Sequence, residues 1–404
     1  MSARRPHRQA PGGRITMPAS HTRLIGIEEE FALIDPATGA PVAGSAARVI
    51  RDVSDEAPVE HEFLDSQVEI ATPPCETADQ AEESLFQLRG RTLAAARNQG
   101  ALLAATGTPP AAPDPALVSH VTGKERYLEI AHGARKVAQT HYINGQHVHV
   151  SIAGPDEGVR VINGLARWAP LLLAMTANSP IWDGADTGFR SWRHVIGCAW
   201  PLNMYPAQFA SVDDYDRRVD RLVRSGLILD RGLVTWVARL SARYPTVELR
   251  VADVQLNPRH AVAFALIVRA LVTTIAAAPD DDPQLSGRGI DADEVNVSLW
   301  FAARDGLTRT LVDPLECREV AATEWLDELV EVIRPALDDA GDTERVREYV
   351  ADLKANGVPA DQQRRALAAG GLAQLLDLCE ASHLRDIGAP AGRAPALSAG
   401  TGAR

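Results

Sequence analysis

Four short stretches of this 404-residue chain alternate acidic, imidazole or guanidinium side chains with apolar ones. They are Glu28 and Glu30 in GIEEEFALID, Asp65, Gln67 and Glu69 in FLDSQVEIAT, His147 and His149 in GQHVHVSI, and Glu248 and Arg250 in TVELRVADVQL. Strand side chains alternate faces, so each set shares one side, and Glu28 and Glu30 stand about 7 Å apart on theirs. Like charges at that range repel unless a cation lies between them. Taken singly, each stretch also reads as a solvated strand face or a cross-strand ion pair. Recurrence in four segments argues for a shared patch, because neighbouring strands about 4.8 Å apart would gather the sets together. Carboxylates with imidazole suit a hard cation, Mg²⁺ or Mn²⁺, better than Zn²⁺. Mg²⁺ commonly holds nucleotide phosphates. With no GxxxxGK[ST] loop and no strand-linked GxGxxG in the chain, any phosphates would be held by metals and arginines.

A second constellation is the loop NSPIWDGADTGFRSWRH, Asn178 to His194. Arg190 or Arg193 could clamp a substrate carboxylate bidentately, and Asp183 or Asp186 could meet an ammonium group. The other reading is a surface loop pinned by its tryptophans and ordinary ion pairs.

The elements that must position these groups follow from periodicity. Strands are expected at Leu24–Asp35, Phe63–Thr72, Gly145–Ile152 and Thr246–Leu256, with a short buried one in ALLAATGTPP. Helices are expected at Ala78–Asn98 and Val161–Ala177, and from Asp293 onward the pattern turns helical, with Pro335 interrupting one helix. Strand-rich segments separated by long helices, without a repeat, predict an α+β fold with mixed or antiparallel pairing.

A hydrophobic content of 46% with 23% charged residues is that of a globular chain. The net charge of −12 excludes a general nucleic-acid or anionic-membrane binder. Cys75, Cys198, Cys317 and Cys379 lie far apart with no CxxC pair, which argues against a zinc cluster or disulfide framework and fits a cytoplasmic setting. The longest apolar run, Ala261–Ala278, carries Arg269 at its middle and reads as a buried core helix rather than a membrane span. Residues 1–22 and 385–404 read as disordered tails, the former leaving Met1 or Met17 open as the start, around one catalytic domain at 23–384.

Five ordered motifs, GIEEEFALIDPATGAPV, DSQVEIATPP, GQHVHVSI, NSPIWDGADTGFRS and TVELRVADVQL, resemble the type-2 glutamate–cysteine ligase family, the carboxylate–amine ligases. The match runs from about Leu24 to Leu256, with a weaker echo in WFAARDGL. The resemblance implies a glutamine-synthetase-like curved antiparallel sheet with helices packed on one face, and ATP with Mg²⁺ or Mn²⁺ as cofactors. It implies joining of the γ-carboxylate of L-glutamate to the amine of L-cysteine through a γ-glutamyl phosphate. By motif position, Glu28, Glu30, Glu69, His147 and Glu248 resemble metal ligands, and Arg250 the arginine at the transferring phosphoryl group. Arg190 is matched to the substrate carboxylate, with Asp186 and Arg193 beside it. The amine must lose a proton, for which Glu29 and Asp65 are the candidate bases. Partners are then small molecules, with no nucleic acid and no membrane, and a homodimer is compatible with the resemblance. Alternatives are a different amine, a metal-dependent hydrolase built on His147-x-His149, or a nucleotide-binding protein without turnover.

Overall fold

The structure is a computed structural model that describes residues 22–53, 58–111, 121–226 and 228–381. Of the expected tails at 1–22 and 385–404, all but Thr22 lie outside the described residues. Eleven strands are named in chain order: β1 Ile25–Ile34, β2 Val59–His61, β3 Gln67–Ala71, β4 Leu102–Ala104, β5 Gly145–Ser151, β6 Ile181–Trp182, β7 Ala185–Asp186, β8 Ala238–Leu240, β9 Thr246–Asp253, β10 Thr310–Asp313 and β11 Arg318–Ala321. Seven form one sheet in the order β2-β3-β1-β5-β9-β8, with β4 also paired to β1. Every pairing in it is antiparallel.

Alternation splits this sheet into two faces. Ile25, Ile27, Phe31 and Leu33 of β1, Val68 and Ile70 of β3, Val148 and Val150 of β5, and Val247, Leu249 and Val251 of β9 enter one hydrophobic core. Each large apolar side chain so buried contributes roughly 1.5–3 kcal/mol before entropy is subtracted. Helices Ala78–Asn98, Ala169–Thr176 and Pro258–Ala277 cover that face. The first opens with a capping box, Thr77 and Gln80 satisfying each other's backbone amides. The third starts at the N-cap Asn257, whose side chain accepts from the Arg259 amide. It is long and apolar enough to cross a membrane, but its residues are mostly buried inside the protein. Arg269, in its middle, is ion-paired with Asp342 and donates to the Glu76 carbonyl at 2.7 Å.

The opposite face carries the polar alternates. One end of it is closed by the last helix, Pro359–Cys379, whose Leu376 packs on Ala32, Ile34, Leu102 and Ala104. A second wall is aromatic, with Phe63, Tyr142 and Trp200 packed around helix Glu125–Ala134.

Several local expectations give way to packing. Val161–Ala177 is two helices, Pro155–Leu165 and Ala169–Thr176, the second starting with Pro170 in its first turn, where the missing N–H cannot continue the first, and Trp168 between them packs on Trp325 with ring centroids 6.2 Å apart. Helix Ala322–Ala340 runs through Pro335 instead of breaking there, its apolar stripe of Leu326, Leu329, Ile333 and Leu337 holding it to the core. The hairpin β10–β11 interrupts a region read as helical throughout. No cysteine is placed in a disulfide among the described residues.

Candidate active site

The register of the sheet decides which polar groups meet. Glu28 stands opposite His147, Glu30 opposite Glu69, and His149 opposite Glu248. The β5–β9 pairing shifts between Gln146 and Val148, two residues of β5 spanning three of β9 from Ala252 to Leu249. The extra residue therefore falls at Arg250–Val251. A bulge there bends the strand and re-aims its side chains.

The resulting cluster is dense. His147 Nδ1 lies 3.1 Å from Glu28 Oε2 and its Nε2 3.5 Å from Glu30 Oε1. His149 Nε2 lies 3.2 Å from Glu28 Oε1 and 3.9 Å from Glu248 Oε2, while its Nδ1 is 2.9 Å from Thr246 Oγ1. The Gly145 amide donates to Glu30 Oε2 at 2.6 Å. Glu248 accepts both arms of Arg239, at 2.8 and 2.9 Å, and also pairs with Arg250. Arg250 Nη1 is in turn 3.4 Å from His147 Nδ1.

Three overlapping donor sets emerge: Glu28 with Glu69 and His147, Glu28 with His149 and Glu248, and Glu30 with Glu62 and Glu69, each set's ligand atoms within 4.8 Å of one another. Their electrostatics ask for a cation. Burial, then the charges of Glu28, Glu62 and Glu30, push Glu69 far above the carboxylate range. Burial and Glu30 raise Glu62 to about 8. Burial also opposes charge on Glu28, yet hydrogen bonds to both histidines hold it low. Glu248 is held low against burial by Arg250 and Arg239. His147 Nε2 is buried with no hydrogen-bond partner. A carboxylate-rich set with such an orphan nitrogen fits hard divalent ions of the Mg²⁺ or Mn²⁺ kind, which neutralise the like charges.

That fit carries a pH prediction. Glu62 binds its proton more tightly folded than unfolded, so above about pH 7, where histidine is neutral in both states, the metal-free protein holds more protons than its unfolded chain until about pH 8. Its stability is expected to peak near neutral pH, below which the buried neutral histidines oppose folding, and to fall as pH rises towards 8. Mn²⁺ should reverse the fall and raise Tm most at the alkaline end, because it replaces that proton. A Tm series with EDTA and with Mn²⁺ checks this; equal metal effects at pH 5 and pH 8 would contradict it.

The remaining expected residues are placed differently. Glu29 faces the core, fully buried, and receives Arg89 Nε at 2.8 Å and Nη2 at 2.5 Å. It points away from the cluster, so its reading as a catalytic base is corrected: strand alternation puts it on the other face. Asp186 is bound by Arg364 at 2.8 and 2.7 Å, and Arg190 donates to Asp361 at 2.9 Å and to the Arg304 carbonyl at 3.3 Å. Both are thus tied to helix Pro359–Cys379, Arg190 also to helix Ala292–Asp305, and touch none of the cluster.

Arg193 does reach the polar face. Its guanidinium lies over Gly145 and donates to the Arg250 and Val251 carbonyls at 3.2 and 3.3 Å, with Asp253 Oδ1 3.8 Å away. Asp253 is itself held by the Asn178 amide and by the Ser179 and Ser191 hydroxyls, at 2.8, 2.6 and 2.8 Å. A Cβ at Gly145 would stand 2.3 Å from Arg193 Nη2. Gly145→Ala is therefore expected to displace Arg193 and lower turnover by about 10²-fold. Steady-state kinetics together with circular dichroism would separate that loss from misfolding.

His149, noted with His147 in the sequence, joins the cluster, and Glu62 and Arg239 join it without having been singled out. The alternation of Glu60 and Glu62 in VEHEF and of Arg239 in VARLS was visible, but such short runs say nothing of which strand they pair with. Beside Glu62 stands the aromatic wall, in which Trp200 Nε1 donates to His141 Nδ1 at 2.8 Å and Phe63 sits edge-on to Tyr127 at 5.6 Å. Burial holds His141 down to about 4, so it is neutral.

The sequence profile of glutamate–cysteine ligase family 2 matches residues 24–378. The chain belongs to that family. It is therefore a ligase. A Saccharopolyspora erythraea relative named "Putative glutamate--cysteine ligase 2-2" is 38% identical, over 89% of this chain and 92% of its own length. A Rhodopirellula baltica relative named "Putative glutamate--cysteine ligase 2" is 36% identical, over 84% and 92%. Among solved structures, a Francisella tularensis glutamate–cysteine ligase in complex with AMP has TM-score 0.67 at 16% identity, covering 90% of this chain and 89% of that one. A bifunctional glutathione synthetase from Pasteurella multocida has TM-score 0.65 at 16% identity, covering 89% and 52%. At that identity the likeness establishes the glutamate–cysteine ligase fold, an open mixed structure of helices and antiparallel sheet.

Proposed function

We propose that this protein joins the γ-carboxylate of L-glutamate to the amine of L-cysteine, with ATP activating the carboxylate as a γ-glutamyl phosphate. Membership of glutamate–cysteine ligase family 2 supports the reaction class, and the AMP complex of the Francisella tularensis neighbour supports adenine nucleotide as the co-substrate. The observation that carries the reading is the position of Arg250. Its guanidinium lies between Glu248 and His147, on the face where the three acid and imidazole sets converge.

Glu28, Glu30, Glu62, Glu69, His147, His149 and Glu248 would hold the divalent cations, which when bound supply positive charge at the phosphate oxygens. Arg250 is aimed where charge spreads over the transferring phosphoryl group, and Glu248 with Arg239 fixes its direction. Arg193, beside Glu30 and locked by two backbone carbonyls, is the cation best placed for a substrate carboxylate. The aromatic wall of Phe63, Tyr127, His141 and Trp200 borders the Glu30, Glu62 and Glu69 set and restricts water there.

The test is direct. Purified protein with glutamate, cysteine, ATP and Mg²⁺ should release ADP and phosphate and form γ-glutamylcysteine. ADP release with another amine but not with cysteine would keep the ligase and replace the substrate. No amine-dependent ADP release across a panel would sink the reading.

A further inference from the structure

Arg193 is short of one partner. Its Nη1 and Nη2 donate to the Val251 and Arg250 carbonyls, while Nε, buried, has no acceptor. A buried donor without an acceptor costs free energy that a bound carboxylate would recover, so the direction in which this guanidinium is held decides what it can bind. Both carbonyls belong to β9, and the acid that closes the same strand, Asp253, has its Oδ1 3.8 Å from Nη1. That is too long for a hydrogen bond and leaves attraction between charges.

Asp253 also reaches Arg193 through the backbone. The acid is fully buried and accepts the Ser179 hydroxyl on Oδ2 at 2.6 Å and the Ser191 hydroxyl on Oδ1 at 2.8 Å. A hydroxyl that gives its one proton to a carboxylate keeps its lone pairs for other donors. Ser179 Oγ accepts from the Arg193 amide at 3.0 Å, and Ser191 Oγ, the N-cap of helix Trp192–Gly197, accepts from the His194 amide at 3.3 Å. The Asn178 amide gives Oδ2 a further hydrogen bond, at 2.8 Å. Glycine at 107 leaves room for this acid, since a Cβ there would stand 2.8 Å from Oδ2. One carboxylate thus fixes both ends of Arg193, the amide through hydroxyls and the guanidinium by charge.

We propose that Asp253 is a positioning residue for recognition of the substrate carboxylate, acting through Arg193 without touching the substrate itself. This rests on the reading in which Arg193 takes that carboxylate. Asp253→Asn keeps an acceptor for the Asn178 amide, but its NH₂ group then faces a guanidinium and a hydroxyl that has lost its acceptor. Arg193 keeps its charge and loses its direction. Binding of the carboxylate weakens in consequence, while nucleotide held on the cation cluster is unaffected.

The experiment measures the calorimetric Kd of L-glutamate on the full chain, with Mg²⁺ and a non-hydrolysable ATP analogue, so that no turnover is needed. Asp253→Asn is expected to raise that Kd about tenfold or more, while the Kd of the ATP analogue stays within about twofold. In an Arg193→Met background the same substitution should add less than about twofold, because the residue through which it acts is gone. Ser191→Ala removes one hydroxyl and keeps the acid. It should give a smaller loss that also vanishes in Arg193→Met, and it carries the test if Asp253→Asn melts too low to assay. The proposal alone is overturned if the losses at Asp253 and Arg193 multiply, if glutamate and nucleotide affinities fall together, or if the folded variants bind glutamate as wild type does. It falls together with the substrate reading if wild type binds no L-glutamate or if Arg193→Met binds it unchanged. Coupled Kd values in a protein that releases no ADP would sink the ligase reading alone.

Discussion

Arg250→Ala is expected to lower kcat for amine-dependent ADP formation by about 10³-fold or more, the usual worth of an arginine at a transferring phosphoryl group. The reason lies in the fork of contacts around Glu248. Arg250 is directed by Glu248 and lies 3.4 Å from His147, so its charge is already in position and nothing need reorganise during transfer. Glu248 is still gripped by Arg239 at 2.8 and 2.9 Å when Arg250 is gone, so the strands should stay paired and the variant should fold. Arg250→Lys should recover only part of the activity, because an ammonium supplies the charge without the planar fork. Steady-state kinetics with parallel thermal melts decide this. A folded Arg250→Ala protein within tenfold of wild type would remove Arg250 from the mechanism.

The second large effect is on stability. Arg89→Ala is expected to cost about 3–5 kcal/mol in urea unfolding, because it leaves Glu29 as an uncompensated charge in the core. Both side chains of this pair are fully buried, and Arg89 also donates to the Gln255 and Leu256 carbonyls at 2.8 and 3.2 Å. The double variant Glu29→Leu/Arg89→Met should regain much of the loss, since two apolar groups of similar size remove both the charge and its partner. One carboxylate and two backbone carbonyls share the one guanidinium, so some loss will persist from the two orphaned carbonyls. A single variant as stable as wild type would mean that Glu29 reaches water or a proton in the folded protein.

Much of this site was legible in one dimension. The period-2 pattern in IEEEF, VEI, HVHV and VELR was enough to put Glu28, Glu30, Glu69, His147, Glu248 and Arg250 on polar faces, because alternation follows from the geometry of any extended strand. The same rule already separated Glu29 from its neighbours, and the structure adds its partner, Arg89, sixty positions on, which no local pattern announces. Glu62, one residue past the edge strand β2, and Arg239, within the edge strand β8, escaped notice because strands of three residues carry too little periodicity to be aligned. Arg190 and Asp186 looked like substrate residues because a loop rich in arginine and aspartate suits that role, yet the last helix supplies Asp361 and Arg364 to neutralise them.

The sequence by itself determined which side chains share a face, where the long helices run and which reaction class the motif order implies, since these depend on spacing along the chain. Tertiary structure alone decided that Glu30 meets Glu69, that a bulge at Arg250–Val251 turns Arg250 towards His147, and that Arg193 rather than Arg190 lies against the polar face. Those outcomes depend on strand order, register and helix packing. They arise from contacts between segments scores of residues apart, where each partner's choice is set by burying the common core rather than by its own neighbours in sequence.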